Sequence, residues 1–458
     1  MNKPYTEYIS PFSNRYSSRE MSYIWSDHNK FCGWRRLWYL LAKHQKSLGA
    51  DISDEQISDM ENNIDTIDMN EVLKHEASTK HDVVSHMMHF GDVVPSIKDI
   101  IHQGATSQYL VDNQDVISIR DSCIVILTKL GKLISMLGEA AWEYKNIPIS
   151  GLTHFQDAQP VTVGKRALGW TQDFVIAIES IGFSLDHHLK IRGIRGTTGT
   201  HDALIKMFDG DMSKVEDLNN LISLDLDFGG KIHPVVNQTY TRLSDAAIMS
   251  SICLISSAAS KMCTDIRLLS GRGEIREGFG PDQVGSSAMP YKRNPINSEK
   301  VCSLARYATS LLSNFYDTAS VQWCERSLDD SANRRLSIPE LLLSTDEILD
   351  TCIKIVPNLY VDKAEIEKRM CDNDFKYLSE SVILKATSMG MDRDEVHRML
   401  NDAYSNCDGS IEELEKEVSL PFSISECERG GVGNSEDQVE MYIATVVEPI
   451  RKHFGVII

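Results

Sequence analysis

The sequence predicts an all-α chain in which a central bundle of long helices carries two smaller helical domains, and three observations lead there. Only 13 prolines occur in 458 residues, and they leave clear runs over 96–147, 161–233, 235–280, 296–338 and 358–420. Within these runs apolar residues return at every third or fourth position, as in Ile124, Leu127, Leu130, Ile134 and Leu137, the stripe of an amphipathic helix. No convincing series of alternating strands joined by turns interrupts them.

Taken in order, the first element is a helical domain over 1–110, with its boundary near 106–112. The second, over 111–357, holds the longest runs and is the bundle itself. Its stretch Leu243 to Leu268 is rich in Ala246, Ala247, Ser250, Ser251, Ser256, Ser257, Ala258 and Ala259, small residues that let helices approach closely. The composition shifts at Val356-Pro357, and short charged patterns such as VDKAEIEKRM and GSIEELEKEV follow. They set off a terminal helical domain over 358–458.

Composition narrows the function. Lys and Arg number 47 against 66 Asp and Glu, a net charge of −19, which disfavours nucleic acid and acidic membranes as partners. With 42% hydrophobic and 25% charged residues the chain can bury a sizeable core without staples. Its ten cysteines are scattered with no CxxC pair, so they read as reduced and mostly buried thiols. The first twenty residues carry charges throughout and lack the apolar stretch of a secretory signal, and no span of about 18 uncharged apolar residues follows. A cytoplasmic protein is expected.

Glycine clusters at 191–200, 271–287 and 428–434 break the helical pattern. None fits a phosphate loop or a dinucleotide fingerprint, so no nucleotide cofactor is expected. Histidines at 81, 86 and 89 raise a metal reading, but no HExxH pattern occurs and no metal is expected. His86 and His89 read instead as partly exposed helix residues.

The most informative stretch is Gly285-Ser286-Ser287-Ala288-Met289-Pro290-Tyr291-Lys292-Arg293-Asn294-Pro295. Two hydroxyls, a lysine and an asparagine around two prolines suit a substrate-facing loop better than a core. This stretch resembles the signature of the fumarase/aspartase superfamily, and its Tyr-Lys-Arg variant is similar to the adenylosuccinate lyases of eukaryotic type. Lys80-His81-Asp82, the segment from His102 to Ser107, and Gly151 to Gln156 resemble further motifs of that family. So do Gln238-Thr239-Tyr240, Gln322 to Arg326 and Asp329 to Arg335. The resemblance runs from Arg15 to at least Arg335.

It implies a three-domain fumarase/aspartase-like fold and a homotetramer with active sites shared between chains. The implied reaction is β-elimination of fumarate from a succinylated purine-pathway ribotide: adenylosuccinate giving AMP, and the succinylated aminoimidazole carboxamide ribotide earlier in purine synthesis. Such a reaction needs a base for the proton beside a carboxylate and an acid for the departing nitrogen, with donors aimed at the charge that develops. By resemblance Ser286 is the base, on a loop that is mobile in the family. A serine is a weak base unless its alkoxide is stabilised in a dry site. His154 is the expected acid, since imidazole suits proton donation near neutrality, and His81 supports it.

Lys292 and Asn294 are expected to meet the carbanion, and Thr106, Ser107 and Gln238 the succinyl moiety. Arg326, Ser331 and Arg335, with Arg15 and Tyr16, are expected at the phosphate. Ser331 and Arg335 lie four apart on one helix face, and the arginine fork matches phosphate. Asp82 belongs to the same implied site. Lys80 and Lys300 stand where the family usually has arginine and lose the bidentate fork. Glu299 is left between orienting a histidine and a structural ion pair. The rival readings are an argininosuccinate lyase or other fumarate-releasing lyase, which the Tyr-Lys-Arg variant and the arginine cluster disfavour, and a non-enzymatic helical scaffold, which the intact Ser286, Lys292, Asn294 and His154 disfavour.

Overall fold

A computed structural model describes residues 8–280, 282–406 and 410–455. Helix accounts for 68% of it, as the proline spacing predicts. The long helices span Ser107–Glu143, Val163–His188, Leu243–Arg272 and Asp329–Ile355. The third is long and apolar enough to cross a membrane by length and composition, yet 67% of its most apolar window is buried in protein. Bundle core explains that apolarity. The fourth helix runs straight through Pro339, where the clear run ends, because Ile338, Leu341, Leu342, Ile348 and Leu349 are all buried; packing on both sides of the proline outweighs the amide hydrogen bond it removes.

The chain forms two compact units. One comprises the described residues of 1–128 with 177–257 and 304–349, and the other comprises 129–176, 258–303 and the described residues of 350–458. The first unit packs around Trp34, Leu37, Trp38, Phe90, Tyr109 and Tyr240, all nearly inaccessible. In the second, Leu378, Val382, Ala386, Val396, Leu400, Leu414 and Ile424 form a core among the carboxyl-terminal helices.

Two features depart from the sequence reading. The first is a β-hairpin, β1 (Pro148–Thr153) against β2 (Gln156–Thr162), antiparallel with a register shift at Ser150/Gly151. A second, minimal ribbon pairs β3 (Ile275–Arg276) with β4 (Tyr360–Val361). The hairpin escapes pattern reading because its burial does not alternate and its two-residue turn lacks the usual glycine or asparagine.

The second is the burial of His86 and His89, 3% and 5% exposed, where partial exposure was expected. The His86 ring lies 3.9 Å from that of Phe31, and Trp34 meets it edge-on. His89 Nε2 accepts the Asp68 amide at 3.0 Å. Burial first, and then the Arg35 charge, lowers His86 to about 4; burial similarly lowers His102 and His233 to about 4. Between pH 6.5 and about 4 the unfolded chain takes up protons that these folded imidazoles refuse, so stability falls as pH falls through that window. The slope is about 1.4 kcal/mol per pH unit for each histidine fully inside it. Denaturant midpoints at pH 7, 5.5 and 4.5 are expected to decline, and those of His86→Gln to decline less steeply. Parallel declines would remove His86 from this account.

Among the described residues no disulfide forms. Cys123, Cys253, Cys263, Cys302 and Cys352 are buried, Cys32 and Cys427 partly so, and Cys324 and Cys371 are exposed; Cys407 lies outside the described residues.

Candidate functional site

In the first unit, helix ends and a helix face set the expected site residues. Lys80 ends the helix Met69–Thr79 in the left-handed region, at φ 52°, which reverses the chain so that His81 can cap the next helix, Asp82–Val93. His81 Nδ1 accepts the Val84 amide at 3.4 Å. That bond leaves the neutral ring's proton on Nε2, which lies 3.4 Å from Ser107 Oγ. Thr106 is buried, and Ser107 opens the helix Ser107–Glu143, where free amides favour an anion. The structure thus brings His81 to Ser107, with Thr106 beside it in the chain.

The cationic side is built on the helix Asp329–Ile355. Arg326, Ser331 and Arg335 line one small cavity, about 120 Å³, with Lys30 and Gln108. Arg326 Nη1 pairs with Asp330 Oδ1 at 2.8 Å and Arg335 Nη2 with Asp82 Oδ2 at 2.7 Å. Burial opposes ionisation of Asp82, but the Val83 amide and Arg335 outweigh it and hold the carboxyl below its ordinary range. Both guanidinium groups are therefore already paired with carboxylates.

Sequence reading missed Lys30 and Gln108. The Lys30 ammonium lies 5.1 Å over the Trp34 ring, and burial lowers its pKa, opposed by Asp115. No motif marks it; only its place one turn into the helix Asp27–Ser47 brings it to the cavity. Gln238 is tied to the Arg326 segment through its backbone, whose amide donates to the Glu325 carbonyl at 3.0 Å, while Arg192 Nε donates to the Gln238 carbonyl at 2.7 Å. Arg15 is exposed, its guanidinium 5.7 Å from the Tyr16 ring centre, and neither residue lines the cavity.

Part of the cavity wall, Asp115, Arg242, Asp330 and Arg334, belongs to a buried ionic network that the sequence did not announce. Arg242 binds Asp330 at 2.8 Å and Asp112 at 2.9 Å. Arg334 binds Asp245 and Asp115 at 2.8 Å each and donates to the Tyr240 hydroxyl at 2.7 Å. Each of these arginines is 5% exposed or less.

In the second unit, His154 and Phe155 form the hairpin turn, with φ of 53° and 59°. Two positive φ values in succession define a type I′ turn, and for non-glycine residues they store strain of the kind found at functional sites. The tip presents both side chains outward, His154 exposed and Phe155 46% exposed.

The signature segment follows β3. Ser286 is half-buried, and its Oγ accepts the Met289 amide at 3.1 Å and the Ala288 amide at 3.3 Å. Donors aimed at a hydroxyl oxygen favour its deprotonated form. Asn294 Nδ2 donates to the Gly285 carbonyl at 2.9 Å, so part of its donor capacity is spent on the loop itself. Lys292 is exposed and Lys300 half-buried on the helix Ile296–Ser310; Glu299 is exposed on the same helix. Among the described residues no side-chain hydrogen bond or ion pair joins His154 to Ser286 or Lys292.

Residues 5–308 match the family model described as lyase. The chain is 41% identical to the adenylosuccinate lyase of Saccharomyces cerevisiae over 86% of this chain and 82% of that one. It is 39% identical to the adenylosuccinate lyase of Schistosoma mansoni over 97% and 96%. Its fold is similar to that of the 3-carboxy-cis,cis-muconate lactonizing enzyme from Pseudomonas putida, with a TM-score of 0.79 at 21% identity over 97% of this chain and 99% of that one.

Proposed function

This chain belongs to the adenylosuccinate lyases of the fumarase/aspartase superfamily, and from that premise we propose how its residues divide the work. It is a lyase that splits adenylosuccinate into fumarate and AMP. The Ser286 alkoxide takes a proton from the succinyl methylene carbon. The electron pair moves into the adjoining carboxylate, where Lys292, Asn294 and backbone amides stabilise it. The pair then forms the fumarate double bond as the C–N bond breaks, and protonated His154 delivers its proton to the departing purine nitrogen. No water is consumed. Ser286 ends protonated and His154 neutral, and proton exchange with solvent resets both.

The observation that carries the substrate class is the cavity that gathers Lys30, Arg326, Ser331 and Arg335. In a chain of net charge −19 such a cluster suits a nucleotide monophosphate. His81, with its Nε2 proton toward Ser107, orients the succinyl group beside Thr106, Ser107 and Gln238, and Lys80 and Lys300 add point charges without a fork. The succinylated aminoimidazole carboxamide ribotide carries the same succinyl amine on a ribotide and is the second substrate. The enzyme works in the cytoplasm without a cofactor.

The active centre is completed between chains of a homotetramer. Exposure of His154 and Lys292 in the single chain supports this, because acid–base chemistry of this kind needs a site closed to water. Ile124, Ile176, Phe183, Leu243 and Leu268, all exposed on the long helices, supply apolar surface for such an assembly. The test mixes two inactive variants, His154→Ala and Ser286→Ala, after verified subunit exchange. Hybrid tetramers are expected to regain part of the AMP and fumarate production, since some sites then draw both intact residues from different chains. No recovery would place both residues in one chain's site.

A further inference from the structure

The segment 278–295 carries Ser286, Lys292 and Asn294, and among its described residues there is neither helix nor strand. What fixes its position is therefore found at its two ends. At the entry, β3 pairs with β4, and Arg276 stacks on Tyr360 with its guanidinium 4.5 Å from the ring centre. Gly278 then passes so close to Asn358 that a Cβ would sit 2.7 Å from the Asn358 carbonyl oxygen. At the exit, the helix Ile296–Ser310 begins with amides that have no intrahelical partner.

One carboxylate joins the two. Glu277, 9% exposed, accepts the Ser298 amide on Oε1 at 2.5 Å. Its Oε2 accepts the Asn297 amide at 3.2 Å and Asn297 Nδ2 at 3.0 Å. Negative charge at a helix start is favourable, and three donors on one buried carboxylate give it a single geometry. Between these ends the segment is clasped on itself. Asn294 reaches the Gly285 carbonyl, the Lys292 amide reaches the Met289 carbonyl at 3.0 Å, and Gly285 leaves no room for a Cβ against the Lys292 carbonyl. A clasped loop that is tied at its base transmits a shift at the base directly to Ser286.

We infer that Glu277 is a positioning residue for this elimination: by tying entry to exit it sets where the Ser286 oxygen meets the substrate proton. The inference rests on the assignment of Ser286 as base. Displacement by an ångström in such a geometry costs on the order of a hundredfold in rate, and the cost falls on proton transfer rather than on binding, because Glu277 lies outside the phosphate cavity.

The test compares the full-length wild type, Glu277→Gln and Glu277→Asp on adenylosuccinate, protonated and deuterated at the succinyl methylene. Glutamine keeps the size but turns an amide donor toward backbone donors. It is expected to lower kcat about 30-fold while KM changes less than about threefold, and to raise the deuterium isotope effect on kcat as proton transfer becomes limiting. Aspartate keeps both acceptor oxygens and is expected to recover part of the loss. If Glu277→Gln fails to fold, Asn297→Ala removes one of the three bonds and leaves the carboxylate; it is expected to lower kcat about threefold with the same rise in isotope effect. Wild-type kcat and isotope effect in whichever variant folds would overturn the inference while the lyase reading stands. A folded wild type that releases no fumarate would overturn both.

Discussion

Alanine at Ser286 is expected to lower kcat for adenylosuccinate about a thousandfold, within the range for loss of a positioned base and equivalent to about 4 kcal/mol of barrier. With Ser286 as the proposed base, the effect should be large and confined to the chemical step. Ser286 Oγ already receives two backbone amides, those of Ala288 and Met289, so its alkoxide meets donors that need no rearrangement. Alanine leaves those amides facing an apolar methyl group, and no neighbouring hydroxyl inherits their geometry. Lys292 and the cavity around Arg326 and Arg335 are untouched, so KM should stay within a few-fold. The measurement is the ultraviolet change on conversion of adenylosuccinate, with AMP and fumarate quantified and Ser287→Ala run beside it. A Ser286→Ala enzyme within tenfold of wild type, with Ser287→Ala the slower of the two, would move the base one residue along the chain.

The helices were legible because proline is scarce and the apolar residues keep a helical period; the exception at Pro339 arises where buried residues flank it on both sides. The signature segment was legible through its residue types, and its internal clasp is what those types permit. The hairpin under His154 was not, because a type I′ turn normally announces itself by glycine or asparagine, and here histidine and phenylalanine hold both positive φ values. The motif around His154 was visible, but the strained turn that presents it was not. Lys30 and Glu277 were illegible for another reason: each acts through partners brought close by folding, and neither sits in a pattern with local spacing. The pair Arg334-Arg335 shows the limit most sharply. The sequence nominates Arg335 for the anion, and it lines the cavity half-exposed, whereas its neighbour Arg334, about 100° around the helix, is buried in the wall of the same cavity and binds carboxylates 89 and 219 residues away.

That neighbour carries the largest expected effect on stability. Arg334→Met should cost on the order of 3–5 kcal/mol, as expected for removing one partner from a buried ion pair. With Arg334 present, Asp112, Asp115, Asp245 and Asp330 face two buried guanidinium groups, and Arg242 and Arg334 both remain cationic: burial opposes their charge, but the surrounding carboxylates outweigh it and raise both pKa values. With methionine, Asp245 keeps only the Tyr240 hydroxyl, at 2.5 Å, and Asp115, already raised by burial and lowered by Arg334, loses its cation. Protonation of one of these carboxyls then becomes the cheapest response, so the variant should regain stability as pH falls toward 5, opposite in sign to the histidine effect of the wild type. Asp245→Asn in the same chain removes one uncompensated charge and should recover part of the loss. Urea denaturation of the two single variants, the double variant and the wild type at pH 7.5 and 5.5 measures both the cost and its sign. A single variant within 1 kcal/mol of wild type at pH 7.5 would mean that the network is dispensable to folding. Its remaining role would then be to hold Asp330 against Arg326, and the deficit should appear as a raised KM for the nucleotide instead.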